Sequence, residues 1–318
     1  MSTTNLGYNV SLIDAFDIGK ERRTGSYVLH DDDVTIIETS ASPSIPYVLK
    51  GLEELGIELT EVKNIIVTHI HLDHAGGVGL LLNHCPNAKV IVHPRGKRHL
   101  ADPSRLIQGA KAVYGDKFNE LFDPILPVPE DRLVIKEDGE KIKIGKERML
   151  TFMDTPGHAN HHFSIHDSLS NGIFTGDTIG VYYPQVFDQG VELFLPSTSP
   201  NQFDPETMLH SMKKISSLHV ERIYFGHYGM TANPDEVYKQ IEYWLPIFMA
   251  AGEKVWAENP TASFDAKQKA IFLLLLDEVH QFLSNNKIVL NGDISEIIQL
   301  DLTVGSMGIL DYLTKREK

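Results

Sequence analysis

Four side chains of types that commonly bind transition metals lie within six residues of one another: His69, His71, Asp73 and His74. Imidazole nitrogens and carboxylate oxygens are ligands for zinc, iron and manganese. His69 and His71 are two positions apart, so in an extended segment their side chains project to the same side. A single metal rarely takes four ligands so close in sequence. The run therefore predicts a loop shared by two metal ions.

Three further candidate ligands follow, and each has a glycine nearby. They are His158 in Thr-Pro-Gly-His, Asp177 in Thr-Gly-Asp-Thr and His227 in Phe-Gly-His-Tyr. Glycine lets the backbone turn sharply and approach an ion closely. Five histidines and two carboxylates suit two metals that keep open positions. Such ions make hydroxide available at neutral pH and polarise a carbonyl or phosphoryl oxygen, which is the chemistry of hydrolysis.

A predicted strand precedes each group of candidate ligands. These strands are expected at 64–67, 149–153, 172–175 and 222–225. The first is a short, continuous apolar run, which is typical of a strand buried on both faces. Loops at strand ends would therefore hold all the candidates. From Pro234 onward the pattern is almost entirely helical. We predict a catalytic domain over 1–245 and a helical C-terminal region over 246–318.

Composition limits the partners and the compartment. The chain has 318 residues, of which 42% are hydrophobic, an ordinary share for a globular protein. Its net charge of −14 repels phosphate backbones, so no nucleic-acid partner is expected. Cys85 is the one cysteine, which excludes an internal disulfide and suits a reducing compartment. Without a secretory signal or an apolar run of about 18 residues, we expect a cytoplasmic protein with no membrane partner.

On these motifs, taken in this order, the chain resembles the metallo-β-lactamase fold superfamily over about residues 26–230. The resemblance implies an α/β fold, the αββα sandwich with metals at one edge, here with an additional C-terminal helical region. By motif, the ligands of the first metal would be His69, His71 and His158. Those of the second would be Asp73, His74 and His227, with Asp177 bridging the two. Asp73 would also act in catalysis, by orienting the hydroxide or relaying its proton.

Departures from the family pattern narrow the function. The strand before the first helix usually ends in Asp-x-Gly, whereas this chain has Glu38-Thr39-Ser40, where Glu38 could still support the metal loop. Members that reduce oxygen at a di-iron centre usually carry glutamate at the position of His71. True β-lactamases generally lack a bridging aspartate, which Asp177 would supply here. Antibiotic hydrolysis is therefore not expected as the main role.

The leading hypothesis is a dinuclear metal-dependent hydrolase that attacks an ester-like bond, a lactone or a thioester, with a metal-bound hydroxide. The site resembles those of glyoxalase II and the acyl-homoserine lactonases. The stretch 178–212 contains no Lys or Arg, which favours a small-molecule substrate of low charge over a glutathione thioester. A phosphodiesterase or RNA-processing hydrolase stays open, as does a non-hydrolytic di-iron redox or binding protein. The cofactors would be two divalent metals, zinc first, with iron or manganese as alternatives. A homodimer also stays open.

Aromatic residues after Asp177 are candidates for substrate contact, an interpretation about as strong as packing against the sheet edge. They are Tyr182, Tyr183, Phe187 and Phe194. His162 stands four positions after His158, where the family often repeats a histidine. We expect it to support the ligands rather than bind a metal itself.

Overall fold

The computed structural model describes residues 2–316. The β-strands in that range are β1 (Thr3–Asn5), β2 (Val10–Asp14), β3 (Gly25–Leu29), β4 (Val34–Ile37), β5 (Val62–Ile66), β6 (Lys89–Val92), β7 (Leu133–Ile135), β8 (Lys141–Lys143), β9 (Met149–Asp154), β10 (Phe163–Asp167), β11 (Gly172–Phe174), β12 (Val181–Tyr182), β13 (Phe194–Leu195), β14 (Arg222–Tyr224) and β15 (Met230–Thr231). The α-helices are α1 (Ile45–Glu54), α2 (Leu72–Ala75), α3 (Val78–His84), α4 (Pro94–Ala101), α5 (Ser104–Tyr114), α6 (Phe118–Phe122), α7 (Pro184–Phe187), α8 (Pro205–Ser216), α9 (Pro234–Glu258), α10 (Phe264–Asn285) and α11 (Gly292–Arg316).

These elements form two compact units that interleave along the chain. The first unit contains the residues up to Asp154, together with His161–Gly176 and Val220–Ala232. The second contains Thr155–Asn160, Asp177–His219 and the chain from Asn233 onward. The two predicted domains, 1–245 and 246–318, are each continuous in sequence, and this division stays a prediction.

The first unit contains two β-sheets. Seven strands form one sheet in the order β1 to β7, antiparallel as far as β4 and parallel from β4 to β7. The other sheet has the order β15-β14-β11-β10-β9-β8. Side chains from both sheets share one core, which includes Tyr27, Ile66, Phe152 and Phe163. The sheets therefore pack face to face, as the apolar faces of two sheets do.

Strand β5, which leads into the histidine-rich run, is buried on both faces. Its Ile66 joins the core between the two sheets. Its Ile65 joins a second core, to which α1 contributes Val48 and Leu52 and α3 contributes Leu81. The sequence prediction of a doubly buried strand is confirmed, and this burial anchors the start of the loop that follows.

The second unit is mainly helical. Helices α8 to α11 surround an apolar core that includes Met208, Trp244, Leu275 and Ile309. A small antiparallel pair of strands, β12 and β13, completes the unit. The C-terminal helical region expected from the sequence is thus present in α9, α10 and α11. Across residues 2–316, no helix combines the length and the apolar character needed to cross a membrane.

Candidate metal centre

The histidine-rich run begins where β5 ends, and its backbone is held on two sides. The Thr68 N–H donates to Glu38 Oε1 at 2.8 Å, and the Thr68 carbonyl accepts from the Phe163 N–H at 3.0 Å. After an extended residue at His71, the chain enters the short helix α2. Two kinds of backbone therefore present the candidate ligands, an extended stretch first and a helical turn after it.

His69 and His71 come from the extended stretch and present ring nitrogens to the same point. His69 Nε2 lies 3.1 Å from His71 Nδ1, and the Thr68 hydroxyl lies 3.0 Å from the other nitrogen of His69. Zinc–nitrogen bonds of about 2.0–2.1 Å in tetrahedral geometry separate two nitrogens by about 3.3 Å. The pair therefore fits one shared metal ion.

Asp73, His74 and His227 form a second group of donors in the same unit. Asp73 Oδ2 lies 3.8 Å from His74 Nε2 and 3.6 Å from His227 Nε2. The three donor atoms all lie within 4.8 Å of one another. Both histidines are buried, whereas the Asp73 side chain is 21% exposed. Two nitrogens and one carboxylate oxygen at these separations fit a zinc, iron or manganese ion.

Glu38 orients His74. Its carboxylate is buried, and Oε2 accepts from His74 Nδ1 at 2.9 Å while Oε1 accepts from the Thr68 N–H. A histidine that donates through Nδ1 carries its lone pair on Nε2, which is the atom nearest Asp73. Glu38 therefore supports the histidine-rich run through both of its carboxylate oxygens.

The loop after β4 also holds the main chain of α2. The Thr39 N–H and hydroxyl both donate to the His74 carbonyl, at 3.0 and 2.9 Å. The Gly77 N–H donates to the Ser40 carbonyl at 2.9 Å. Glu38 and Ser40 adopt left-handed backbone, with φ of 68° and 58°. Ser40, which stands where the family's Asp-x-Gly pattern has glycine, thus adopts a left-handed conformation that is unfavourable for a residue with a side chain.

His227 is positioned by a turn that the sequence did not reveal. The Tyr27 hydroxyl lies 2.6 Å from the carbonyl oxygens of both Phe225 and Gly229, which flank His227. Burial raises the pKa of Tyr27 well above its usual value, so the hydroxyl stays protonated and can donate. The Phe225 N–H closes the same turn on the Gly229 carbonyl.

His161 and His162 lie beside the first two candidate ligands, His69 and His71. The His162 ring is buried, with its centroid 5.0 Å from that of His69, and the His161 ring lies 5.4 Å from that of His71. A Cβ at Gly176 would lie 2.5 Å from His162 Nε2, so the backbone there is in close contact with the ring. This packing agrees with the supporting role expected for His162, which stays a prediction.

A buried ion pair interacts electrostatically with Asp73 and His227 of the second group of donors. Asp17 and Arg23 form a short salt bridge, and both side chains are almost fully buried. Burial raises the pKa of Asp17, the Arg23 guanidinium lowers it, and the negative charge of Asp73 raises it further. The loop between β2 and β3 therefore belongs to the electrostatic environment of Asp73, although nothing in its sequence marks it as functional.

His158 and Asp177 lie together in the second unit. His158 Nε2 is 3.7 Å from Asp177 Oδ2. The Ser197 carbonyl accepts from His158 Nδ1 at 3.0 Å, and the Ser197 hydroxyl donates to Asp177 Oδ2 at 3.0 Å. The Ser199 hydroxyl lies 3.4 Å from His158 Nε2. Ser197 thus positions both candidate ligands, and sequence reasoning missed it because a serine in a Pro-Ser-Thr-Ser-Pro loop carries no distinctive signal.

Of the four aromatic residues proposed for substrate contact, three are buried in the second unit. Tyr182 stacks on Phe194 with ring centroids 5.2 Å apart, and the Tyr183 hydroxyl donates to Asp301 Oδ2 at 2.9 Å. Phe187 is 51% exposed. Packing within the second unit therefore accounts for three of the four aromatic side chains, and substrate contact stays a prediction.

Comparison with known proteins shows the family of the chain. A family model described as the metallo-β-lactamase superfamily matches residues 20–227. A metallo-β-lactamase fold-containing protein of Sulfurisphaera tokodaii is 29% identical over 177 residues, 55% of this chain and 63% of that protein. A hydroxyacylglutathione hydrolase of Photobacterium profundum is 26% identical over 206 residues, 64% of this chain and 60% of that protein. The matches thus span less than two thirds of each relative.

Solved structures give the same fold over nearly the whole chain. The crystal structure of a metallo-β-lactamase family protein from Thermus thermophilus superposes with a TM-score of 0.68 at 18% identity, covering 98% of this chain and 95% of that one. The fold class expected from the sequence is confirmed. The family match and the structural likeness lead to one conclusion: the chain belongs to the metallo-β-lactamase superfamily.

Proposed function

We propose that the protein is a hydrolase of ester-like bonds, a thioester or a lactone, that uses two divalent metal ions. From the resemblance to the family motif, we propose that the ligands are His69, His71, Asp73, His74, His158, Asp177 and His227. Members of the superfamily are typically hydrolases, which supports the reaction type. Zinc is the metal proposed first, because the donors are imidazole nitrogens and carboxylate oxygens at separations that suit its bond lengths.

The observation that carries the proposal is the carboxylate of Asp177 beside His158. Its Oδ2 is held by the Ser197 hydroxyl and lies 3.7 Å from His158 Nε2. A bridging aspartate distinguishes the ester-cleaving members that this chain resembles from the true β-lactamases. The proposal therefore favours ester-like substrates over β-lactams.

When bound, divalent metals at these residues would supply a hydroxide nucleophile at neutral pH and polarise the substrate carbonyl. The protein's own part is to fix the donors and to handle protons. Glu38 and Ser197 each accept from the Nδ1–H of a ligand histidine, which leaves Nε2 free of a proton. Asp73 is partly exposed, so its carboxylate is suited to accept a proton from the attacking water and pass it to the leaving group.

Two observations bear on the substrate. One matched relative is named hydroxyacylglutathione hydrolase, which supports a thioester. The stretch 178–212 contains no Lys or Arg, which supports an acyl group or ring of low charge rather than an anionic carrier. The proposal therefore includes both bond types and places neutral substrates ahead of charged ones.

The test is hydrolysis by zinc-loaded protein of four substrates: an N-acylcysteamine thioester, an acyl-homoserine lactone, a glutathione thioester and a phosphodiester. We expect turnover of one or both neutral substrates, lost on chelation and regained on adding metal. Asp73→Asn should lower kcat by about 10²–10⁴ if the carboxylate moves a proton. Asp32→Asn, the same substitution at an exposed position of the first unit, is the matched control and should keep wild-type turnover. Protein that holds two metals but cleaves only the phosphodiester, or none of the four, would refute the proposal.

A further inference from the structure

Helix α11 approaches the Thr198–Ser199 backbone closely through a glycine. A Cβ at Gly308 would lie 1.8 Å from the Thr198 carbonyl oxygen and 2.6 Å from the Ser199 carbonyl carbon. Both of these are backbone atoms, so no rotamer change could relieve the overlap. Any side chain at Gly308 would therefore push this segment and the helix apart.

Further contacts fix the same segment to α11. The Thr198 hydroxyl donates to the Gly305 carbonyl at 3.0 Å, and a Cβ at Gly305 would lie 2.9 Å from that hydroxyl. Toward the end of the helix, Lys315 Nζ forms a short hydrogen bond to the Asn201 carbonyl. Thr198 is buried. The helix thus holds the segment by direct packing and by hydrogen bonds at two points.

The residue next to Thr198 holds both candidate ligands of the second unit. The Ser197 carbonyl accepts from His158 Nδ1, and the Ser197 hydroxyl donates to Asp177 Oδ2, each at 3.0 Å. A shift of the Thr198 backbone is transmitted directly to the Ser197 carbonyl, because one planar peptide group contains that carbonyl and the Thr198 nitrogen. Movement of the segment away from α11 would loosen both bonds.

We infer that Gly308 is a positioning residue of the metal centre, which acts through the Ser197 segment on His158 and Asp177. It touches neither ligand, and its effect depends on the absence of a side chain. The C-terminal helix therefore sets metal affinity as well as packing the core. The inference rests on the proposed metal ligands but not on the proposed substrate.

The experiment compares metal binding by full-length wild type and Gly308→Ala, using zinc titration against a chromophoric chelator and the visible spectrum of the Co²⁺-loaded protein. Weakened support of a ligand histidine typically lowers metal affinity about 10–100-fold, and we expect a loss in that range with an altered Co²⁺ spectrum. The matched control is Gly252→Ala. The alanine Cβ on α9 would lie 2.3 Å from Ile309 Cγ2 on α11. The substitution therefore disturbs the packing of α11 through a side chain and not through the Thr198–Ser199 backbone.

Gly252→Ala should lower the unfolding temperature but keep the wild-type affinity and spectrum. If Gly308→Ala does not fold, Gly305→Ala gives the milder form of the test, because its predicted overlap is with the movable Thr198 hydroxyl. Folded Gly308→Ala or Gly305→Ala with wild-type affinity and spectrum would overturn the inference, as would equal affinity losses in Gly252→Ala. A wild type that binds no metal overturns it as well. A wild type that binds metal but cleaves no thioester or lactone refutes only the proposed function.

Discussion

Replacing Glu38 by glutamine tests how the metal loop is held. The buried carboxylate has two acceptor oxygens, one for the Thr68 N–H at 2.8 Å and one for His74 Nδ1 at 2.9 Å. Glutamine keeps the shape but provides one acceptor and one donor. If its oxygen stays with Thr68, its NH₂ group meets the Nδ1–H of His74. The ring can satisfy that donor only by moving its proton to Nε2, the atom that faces Asp73.

A protonated Nε2 cannot bind a metal, so the substitution removes one ligand without removing a side chain. Loss of such support typically costs about 10–100-fold in metal affinity. That range corresponds to about 1.4–2.7 kcal/mol. The glutamine oxygen keeps the Thr68 bond, which supports the run that carries His69 and His71, and only His74 loses its acceptor. We therefore expect one of two metals to bind more weakly in Glu38→Gln while the other keeps its affinity.

The assay is a zinc titration that resolves two binding steps, followed by competition with a chelator. Glu61→Gln makes the same substitution at an exposed position of the first unit and should match the wild type. Binding of both metals by Glu38→Gln with wild-type affinities would show that the tautomer argument is wrong. Equal weakening of both steps would indicate general damage to the fold instead of a lost ligand.

Three further predictions concern stability and reactivity. Gly176→Ala would place a Cβ 2.4 Å from the Thr68 hydroxyl on a backbone with φ of 49°. Gly139→Ala is the control, because it has the left-handed strain without an overlap. In urea unfolding, the free energy of unfolding should fall by about 1–3 kcal/mol more in Gly176→Ala than in Gly139→Ala. Burial raises the pKa of Cys85 to about 11, so the native thiol should react with a disulfide reagent at pH 8 only after unfolding. The unfolded thiol has a pKa of about 8.5, so burial of the neutral Cys85 thiol stabilises the fold fully below that pH. This contribution to the free energy of unfolding is lost as the pH rises to about 11. Tyr183→Phe should lower the free energy of unfolding by about 1.5–3 kcal/mol, because it loses a hydrogen bond to the Asp301 carboxylate of α11, and it should leave KM unchanged. A raised KM with unchanged stability would instead support substrate contact.

The strands and ligand loops were predictable because their signals are local. Apolar runs mark the buried strands, and β9 begins at Met149, where the predicted strand 149–153 begins, and ends one residue beyond it at Asp154. The candidate ligands stand just after such runs, so their place at strand ends follows from the pattern alone. The two-residue strands β12 and β13 were missed, since a pair of residues has no measurable period.

The groups that hold the ligands were harder to find, because they are distant in sequence and of common types. Tyr27 lies 198 positions from Phe225, whose carbonyl it contacts. Ser197 lies 39 positions from His158. A buried tyrosine and a loop serine usually pack or cap, so their residue types alone point to no metal site. Glu38 could be suspected only because the family places a carboxylate at the same strand end.

Each of the two units orients one candidate ligand histidine through an acceptor at Nδ1, but the acceptor oxygens differ in kind. For His74 the acceptor at Nδ1 is the side chain of Glu38, and for His158 it is the main-chain carbonyl of Ser197. A side-chain acceptor can be removed by one substitution, whereas a carbonyl remains whatever residue stands at position 197. The orientation of His158 can therefore change only if the backbone moves. That gives the contact between Gly308 and Thr198 its importance, because it is where a distant helix fixes the position of this backbone.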